Sequence, residues 1–445
     1  MQTLPLLTTQ PTTDRAATGG KPRPPLAVLG VEPPVAAVRY GGLALVHAAR
    51  RSLQPIASLA SLLLFGPTHV GCTAGTVVNT NAKVRARATI ERMLREHEIP
   101  GGQYCVVDAD RTLLELHVGH ADVASSAAVS EQTWMMAYSL TKVVTAIAVM
   151  QLVDQGKATL DDALSAAGVE HPYGPEVTIR ALLSHTAGVP NPMPLDWFAL
   201  EGEPLDRHQA LYRVLDAHPR LDREVGAAYG YTNVGYWLLE RWIEAVSGQD
   251  YAAYVRAHVF APLGVPASAL DFDPGPANQQ ATGHSRRFAP INALLHVMTP
   301  RRYWVAPRRG WSRVARLRAI GRGYGGLYAS AAALAPVLQD LLRQSPRLLS
   351  AKARDQLFTQ QHTRSGKALE STLAFVIGEL EGVRYFGKQG GGLGFHGNMR
   401  IYPELGIASV WLSNRTEISP GPIDARSDAI DVGFVREHHE RADHR

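Results

Sequence analysis

Ser139 and Lys142, three residues apart at the head of an apolar run, form the first pair in this sequence whose types and spacing can do chemistry. On a helix, residues three apart lie on one face, so the lysine amine can reach the serine hydroxyl. An alcohol is a poor nucleophile near neutrality, and an amine held in an apolar site can lose its charge and accept the hydroxyl proton. Alone, the pair also reads as a lysine snorkelling from the end of a core helix. Tyr231-Thr232-Asn233 is the second candidate. A phenol made acidic by neighbouring ammonium groups can act as a base and an amide can hold a substrate carbonyl; the commoner meaning of such a tripeptide is a helix N-terminus capped by Thr or Asn. The third is Lys388-Gln389-Gly390-Gly391-Gly392, next to an expected strand. Glycine there lets a substrate lie against the strand edge, and a backbone N–H can complete an oxyanion hole; the bland reading is a flexible hairpin with an exposed lysine.

These stretches are far apart, so the intervening elements must bring them together. Apolar residues Ile90, Met93 and Leu94 fall at helical spacing among charges between Lys83 and Glu98, and Pro100-Gly101-Gly102 ends that helix. Residues 104–107 and 113–118 read as a hairpin around the polar turn 108–111. Tyr138 to Val153 is apolar enough for a buried helix, with Ser139 and Lys142 in its first turn. From Asp161 to about Leu342 the patterned stretches are mostly helical, including 231–247 and 251–260, and after Leu373 the pattern turns to short strands at 373–380, 383–386, 398–402 and 407–412. Strands at both ends with helices between them predict an α+β fold: an antiparallel sheet flanked by helices, with a mainly helical insert at about 157–345.

Composition narrows the class. Across 445 residues, 45% hydrophobic and 19% charged is globular, which excludes collagen, coiled coil and wholesale disorder. Two cysteines, Cys72 and Cys105, cannot build a disulfide framework or a cysteine-rich zinc site; Cys105, in a strand, reads as a small core residue. The net charge of +5 is local: ten arginines (286, 287, 301, 302, 308, 309, 313, 316, 318, 322) and no acid lie between Ser285 and Arg322, and without them acids outnumber bases. A surface for nucleic acid is therefore not indicated. The same segment carries Ile291, Leu294, Leu295, Tyr303, Trp304 and Trp311, a mixture suited to a lipid headgroup surface or to a lid for anionic substrates, or else a solvated insertion. Residues 1–79 read as a disordered extension followed by an export signal: Arg50-Arg51, an apolar run from Ile56 to Phe65, and Val70-Gly71-Cys72, which resembles a lipobox end with His69 in place of its usual leucine. Export, to a periplasmic or membrane-anchored location, is the expectation, with a cytoplasmic one if the signal is unused. The folded domain is expected over 80–430 and a polar tail over 431–445, whose histidines 438, 439 and 444 read as solvated.

Taken in order, Ser-x-x-Lys, Tyr-x-Asn and Lys-x-Gly resemble the serine β-lactamase and penicillin-binding-protein superfamily, in its class C β-lactamase-like branch with family VIII carboxylesterases and D-Ala-D-Ala carboxypeptidases. Ile179-Arg180-Ala181-Leu182-Leu183-Ser184-His185-Thr186-Ala187-Gly188, the run from Tyr231 to Val265, and Gly394-Phe395 extend the similarity over roughly 80–430. The resemblance implies Ser139 as acylated nucleophile, Lys142 and Tyr231 sharing proton transfer, and Asn233 orienting substrate. It implies that Lys388 stabilises the tyrosinate or binds a substrate carboxylate, and that the amides of Ser139 and Gly391 form the oxyanion hole. His185 is tempting as a triad base, but its motif is structural in this family. Gln389 stands where true class C β-lactamases have Thr, which removes a hydroxyl that grips a substrate carboxylate and, being a bulkier amide, narrows the substrate edge, along which Gly390 is also a substrate-binding candidate. The expectation is a serine hydrolase acting on a small-molecule ester, amide or lactam, esters favoured, with no metal or organic cofactor. A D,D-peptidase or weak β-lactamase is the same-site alternative, and a non-catalytic penicillin-recognising or membrane-associated binding protein is the alternative of another class. The absence of Gly-x-Ser-x-Gly disfavours an α/β-hydrolase.

Overall fold

The computed structural model describes residues 80–193, 196–287, 295–416, 428–436 and 438; the expected export signal with Cys72, and His439 and His444, lie outside them. Seven antiparallel strands form the main sheet: β1 (Gly101–Asp108), β2 (Thr112–Asp122), β3 (Ala127–Ala128), β4 (Val376–Leu380), β5 (Val383–Gly391), β6 (His396–Tyr402) and β7 (Ile407–Ser413), in the spatial order β4-β5-β6-β7-β1-β2-β3. Strands from early and late in the described domain meet where β1 pairs with β7, Gly102 opposite Ser413 through Asp108 opposite Ile407. Both faces of β1 are covered, which is why it reads as an unbroken apolar run rather than an alternation. Cys105 and Val107 join the larger core on one side, while Tyr104 and Val106 join a second core on the other.

The larger core is organised by the helix α2 (Thr141–Asp154), whose residues from Thr141 to Leu152 are all buried. This helix has no side-chain N-cap, a lack worth about 1 kcal/mol. Val143, Val144, Ile147, Val149, Met150 and Leu152 are each at most 1% exposed, and each such side chain contributes about 1.5–3 kcal/mol on burial. Burial, not capping, fixes α2. Helix α3 (Asn233–Ser247) packs beside it, and a further helix, α4 (Ala331–Leu342), lies on β1 and β7.

The insert is less helical than its sequence suggests. The arginine-rich segment forms a three-stranded sheet of His284–Arg286, Trp311–Val314 and Trp304–Arg308, and Leu317–Ala319 pairs with Phe198–Leu200. Arginine favours helices and masks the turn. The turn itself is Arg309-Gly310, both at positive φ (49° and 80°) between the paired Arg308 and Trp311, as a tight hairpin requires. Six of the arginines are tied to acids: Arg286 to Glu98, Arg302 to Glu203, Arg313 to Asp122, Arg316 to Glu201, Arg318 to Asp273 and Arg322 to Asp250. These pairs spend much of the segment's charge within the protein, and Arg287, Arg301, Arg302, Arg308 and Arg309 are its exposed arginines among the described residues.

The second core closes on the chain's C-terminal part. Helical residues 428–436 place Ile430, Phe434 and Val435 against α1 (Thr80–Glu96) and the outer face of the sheet. The polar tail expected from residue 431 thus begins too early, because Asp431 itself is buried. Its carboxylate accepts from Tyr104 Oη at 2.7 Å, Tyr402 Oη at 2.7 Å and Ser409 Oγ at 2.8 Å, with the Arg400 guanidinium 3.8 Å away. Asp431→Ala leaves these donors in a dry core, so it is expected to destabilise the fold by about 3 kcal/mol. A calorimetric scan checks this by a Tm lowered by roughly 5–10 °C.

Candidate active site

Tyr138–Leu140 is a single 3₁₀ turn that runs straight into α2. Tyr138 holds φ at 47°, a left-handed conformation that an aromatic residue adopts only when its surroundings enforce it. Here the ring is buried, and its hydroxyl donates to the Leu393 carbonyl at 2.8 Å. Ser139 follows directly. The tripeptide Tyr231-Thr232-Asn233 sits at the opening of α3, where Thr232 Oγ1 accepts the Gly235 amide at 3.2 Å. Its ordinary capping role and its chemical role are thus both present, on adjacent residues.

The three stretches converge. Ser139 Oγ lies 2.6 Å from Tyr231 Oη, and Lys142 Nζ donates to it at 3.2 Å. The same nitrogen donates to Asn233 Oδ1 at 2.7 Å and to the Tyr324 carbonyl at 2.6 Å, while Tyr231 Oη is 3.2 Å from Asn233 Oδ1. Lys388 Nζ stands 5.3 Å from the Tyr231 ring centre and 6.0 Å from that of Tyr236. Sequence alone leaves Lys388 open as an exposed hairpin lysine; it is 5% exposed, and its strand runs through Gly391 instead of stopping at Phe386.

Burial governs the protonation of this cluster. Desolvation holds the Lys142 amine well below the ordinary lysine range, and the nearby Lys388 cation pushes in the same direction. Desolvation also brings Lys388 down to about 7. The acidic phenol anticipated for Tyr231 is not what this environment produces: burial drives its pKa up, only partly offset by the hydrogen bond with Ser139. Burial thus lowers the proton affinity of Lys142 and disfavours ionisation of the Tyr231 phenol beside it.

His185 is a brace. Its backbone holds φ at 58°, its carbonyl accepts the Gly230 amide at 2.7 Å and its Nδ1 accepts the Thr232 amide at 3.3 Å, so both neighbours of Tyr231 hang from one residue. The ring packs 4.6 Å from that of Tyr231, and desolvation first, then the two lysines, keeps it far below its usual pKa. Cys105 is buried in the sheet with its thiol pushed up to about 12 by desolvation, as befits a core residue.

Sequence reasoning missed several participants. The Tyr324 carbonyl has no side-chain signature. Asn191 Oδ1 accepts the Asn233 amide at 2.8 Å from a loop without pattern. Tyr229, Tyr385, Asn398 and Arg400 line a cavity of about 230 Å³ together with Tyr231, Val376, Gly387, Lys388 and Gln389. Asn398 lies opposite Gln389 and Arg400 opposite Gly387 in the β5–β6 ladder, so correct strand register would have found both. Among the described residues, no group of three or more His, Cys, Asp or Glu side chains is arranged to hold a metal ion.

The strand edge fits the nucleophile closely. A Cβ on Gly390 would stand 2.4 Å from the Ala137 carbonyl oxygen and 2.8 Å from the Ser139 nitrogen, both backbone atoms. Gly391, one residue on, is exposed at the end of β5. Gly390→Ala is expected to push β5 off the Ser139 turn while the sheet persists. At about 10²-fold loss for an ångström of misplacement, the measurement is kcat on an activated ester, with circular dichroism to confirm the fold.

Comparison with known proteins agrees with this geometry. A family model described as Beta-lactamase matches residues 86–432. Penicillin-binding protein 4 of Amycolatopsis lactamdurans is 32% identical over 214 residues, which cover 45% of this chain and 54% of that protein, so the chain spans about half the length of this relative. Among solved structures, the octameric penicillin-binding protein homologue from Pyrococcus abyssi superposes with a TM-score of 0.63 at 20% identity, covering 78% of this chain and 76% of the other. The D-amino acid amidase of Ochrobactrum anthropi SV3, complexed with D-phenylalanine, does so with 0.68 at 17% identity, covering 80% and 100%. These last two show the shared fold, and the family match extends over most of the domain: the chain belongs to the beta-lactamase family, within the superfamily of serine hydrolases and penicillin-binding proteins.

Proposed function

We propose that this chain hydrolyses small esters through an acyl-enzyme on Ser139. One observation carries the reading: Ser139 Oγ is held between a phenol at 2.6 Å and a desolvated amine at 3.2 Å. Neutral Lys142 takes the hydroxyl proton as Oγ attacks the carbonyl carbon. The carbonyl oxygen becomes an oxyanion beside the amides of Ser139 and Gly391, where one donor is worth about 3 kcal/mol in the transition state. Collapse expels the alcohol, which leaves with the proton that Lys142 returns through Tyr231. Water then attacks the acyl-enzyme by the same path in reverse and frees the acid. Asn233 holds Lys142 in line, and Lys388 disfavours a second positive charge nearby.

Two features support an ester over a peptide or lactam. Gln389 lacks the hydroxyl that would grip a substrate carboxylate. The adjoining cavity, about 230 Å³ and walled by Tyr229, Tyr231, Tyr385 and Val376, falls below the roughly 300–1,000 Å³ of sites for drug-sized ligands, which suits a short acyl group. Short-chain p-nitrophenyl esters, nitrocefin and a D-Ala-D-Ala peptide assayed side by side separate the activities. The expected order is ester first, with Ser139→Ala slower by about four orders of magnitude and a fluorophosphonate adduct located on Ser139 by mass spectrometry. Unchanged ester turnover in Ser139→Ala overturns the mechanism, faster peptide or nitrocefin turnover moves the substrate class, and an adduct without any turnover points to a binding protein.

The pH dependence has a definite sign. The active form has Lys142 deprotonated, so kcat/KM rises with pH along a limb lying below the ordinary lysine range. Because the Lys388 cation helps to hold Lys142 neutral, Lys388→Met is expected to move that limb to higher pH. A limb that stays in place, or moves to lower pH, removes this account of the base.

A further inference from the structure

Lys142 Nζ donates to the Tyr324 carbonyl at 2.6 Å, so the direction of the base depends on how the backbone leading into Tyr324 is held. That backbone belongs to a glycine-containing loop before α4, and Gly323, the residue preceding Tyr324, is held at both its N–H and its carbonyl. Glu240, on α3 and 2% exposed, accepts the Gly323 amide on Oε2 at 2.7 Å. Thr145, on α2 one turn beyond Lys142, donates to the Gly323 carbonyl at 2.6 Å and lies 2.7 Å from Tyr251 Oη. The fit admits only glycine at 323, since a Cβ there would stand 2.9 Å from the Tyr236 carbonyl oxygen and 3.0 Å from the Glu240 Cβ. A carboxyl group buried this deeply is costly to keep, and the proton-transfer steps above make no use of it.

We infer that Glu240 is a positioning residue: its hold on the Gly323 amide sets the Tyr324 carbonyl, which in turn aims the Lys142 amine at Ser139. Desolvation raises the Glu240 carboxyl to about 8, opposed by the Gly323 N–H, Arg322 and Arg207 and reinforced by Glu244. Near neutrality the group is therefore largely protonated, and its hold is a hydrogen bond that an amide can replace. This inference rests on Lys142 being the base, and the test separates the two ideas.

Glu240→Leu, Glu240→Gln, Thr145→Val and Lys142→Ala are compared on one p-nitrophenyl ester across pH, with thermal melts to establish folding. Glu240→Leu is expected to lower kcat about 10²-fold with KM changed less than about twofold. The pH limb should also move down, because Lys142 loses an acceptor that favours its charged form. Glu240→Gln keeps an acceptor and should restore kcat to within about threefold of the parent. Wild-type kcat in folded Glu240→Leu, or a Glu240→Gln as impaired as Glu240→Leu, overturns the positioning role. If Glu240→Leu does not fold, Thr145→Val decides: a loss of about fivefold or more supports the clamp, and parental kcat and pH limb overturn it. A fully active Lys142→Ala instead overturns the assignment of the base on which the inference stands.

Discussion

A lysine amine buried without a carboxylate beside it is the constraint around which this molecule is arranged. Lys142 is 0% exposed. Its hydrogen bonds run to a hydroxyl, an amide oxygen and a backbone carbonyl, and its nitrogen lies 4.9, 5.3 and 5.7 Å from the ring centres of Tyr231, Tyr236 and Tyr324. Three acceptors and three ring faces suit an ammonium, yet burial and, after it, a second buried lysine outweigh them and hold the amine well below the ordinary lysine range. The apolar bulk of α2 and α3 and the withdrawal of water push in that direction.

Much of this was legible in sequence, for identifiable reasons. The helix carrying Ser139 and Lys142 declared itself because burial on every side leaves an unbroken apolar run. The hairpin read at 104–107 and 113–118 and the C-terminal strands showed through short apolar runs and the turns between them. The arginine-rich segment was harder, because its strands are three to five residues long and many of its charges are consumed one at a time by acids scattered from Glu98 to Asp273. A local count of arginines cannot see partners that are distant in the chain. Likewise, the stretch from Pro420 reads as one possible helix and a charged tail, and Asp431, Phe434 and Val435 fell on the tail side because three apolar or acidic residues among many charges carry no period long enough to fix where a packed helix ends.

The site divides the same way. Side chains with a chemical signature, Ser139, Lys142, Tyr231, Asn233 and Lys388, could be named from their spacing and from the family they resemble. What could not be read was the protonation of Tyr231, which follows from how completely it is buried, and the backbone's contributions beyond the two oxyanion amides that the resemblance implies. The Tyr324 carbonyl, the His185 carbonyl and the close passage of Gly390 by Ser139 are properties of chain path. Asn398 and Arg400 fall between these cases, since their positions follow once β6 is paired with β5 in the correct register, and register is set by which face of each strand is buried.

The strand edge beside Ser139 shows how the fold reconciles access with safety. An unpaired edge invites pairing with another chain, and proteins limit such edges by shortness, charge and covering groups. Here β4 begins at Val376, opposite Gly387, so the edge of β5 lacks a partner from β4 from Lys388 onward. That length is brief. Its lysine points into the core, two of its glycines lie hard against Tyr138 and the Ser139 turn, and Gln389 stands at the cavity wall. A long peptide would gain few ladder hydrogen bonds along so short an edge, whereas a small acyl group needs only the oxyanion donors at its end. The same economy of edge that protects the sheet from association therefore supports the proposed preference for compact substrates, and this support comes from the backbone, independently of the side chain at position 389.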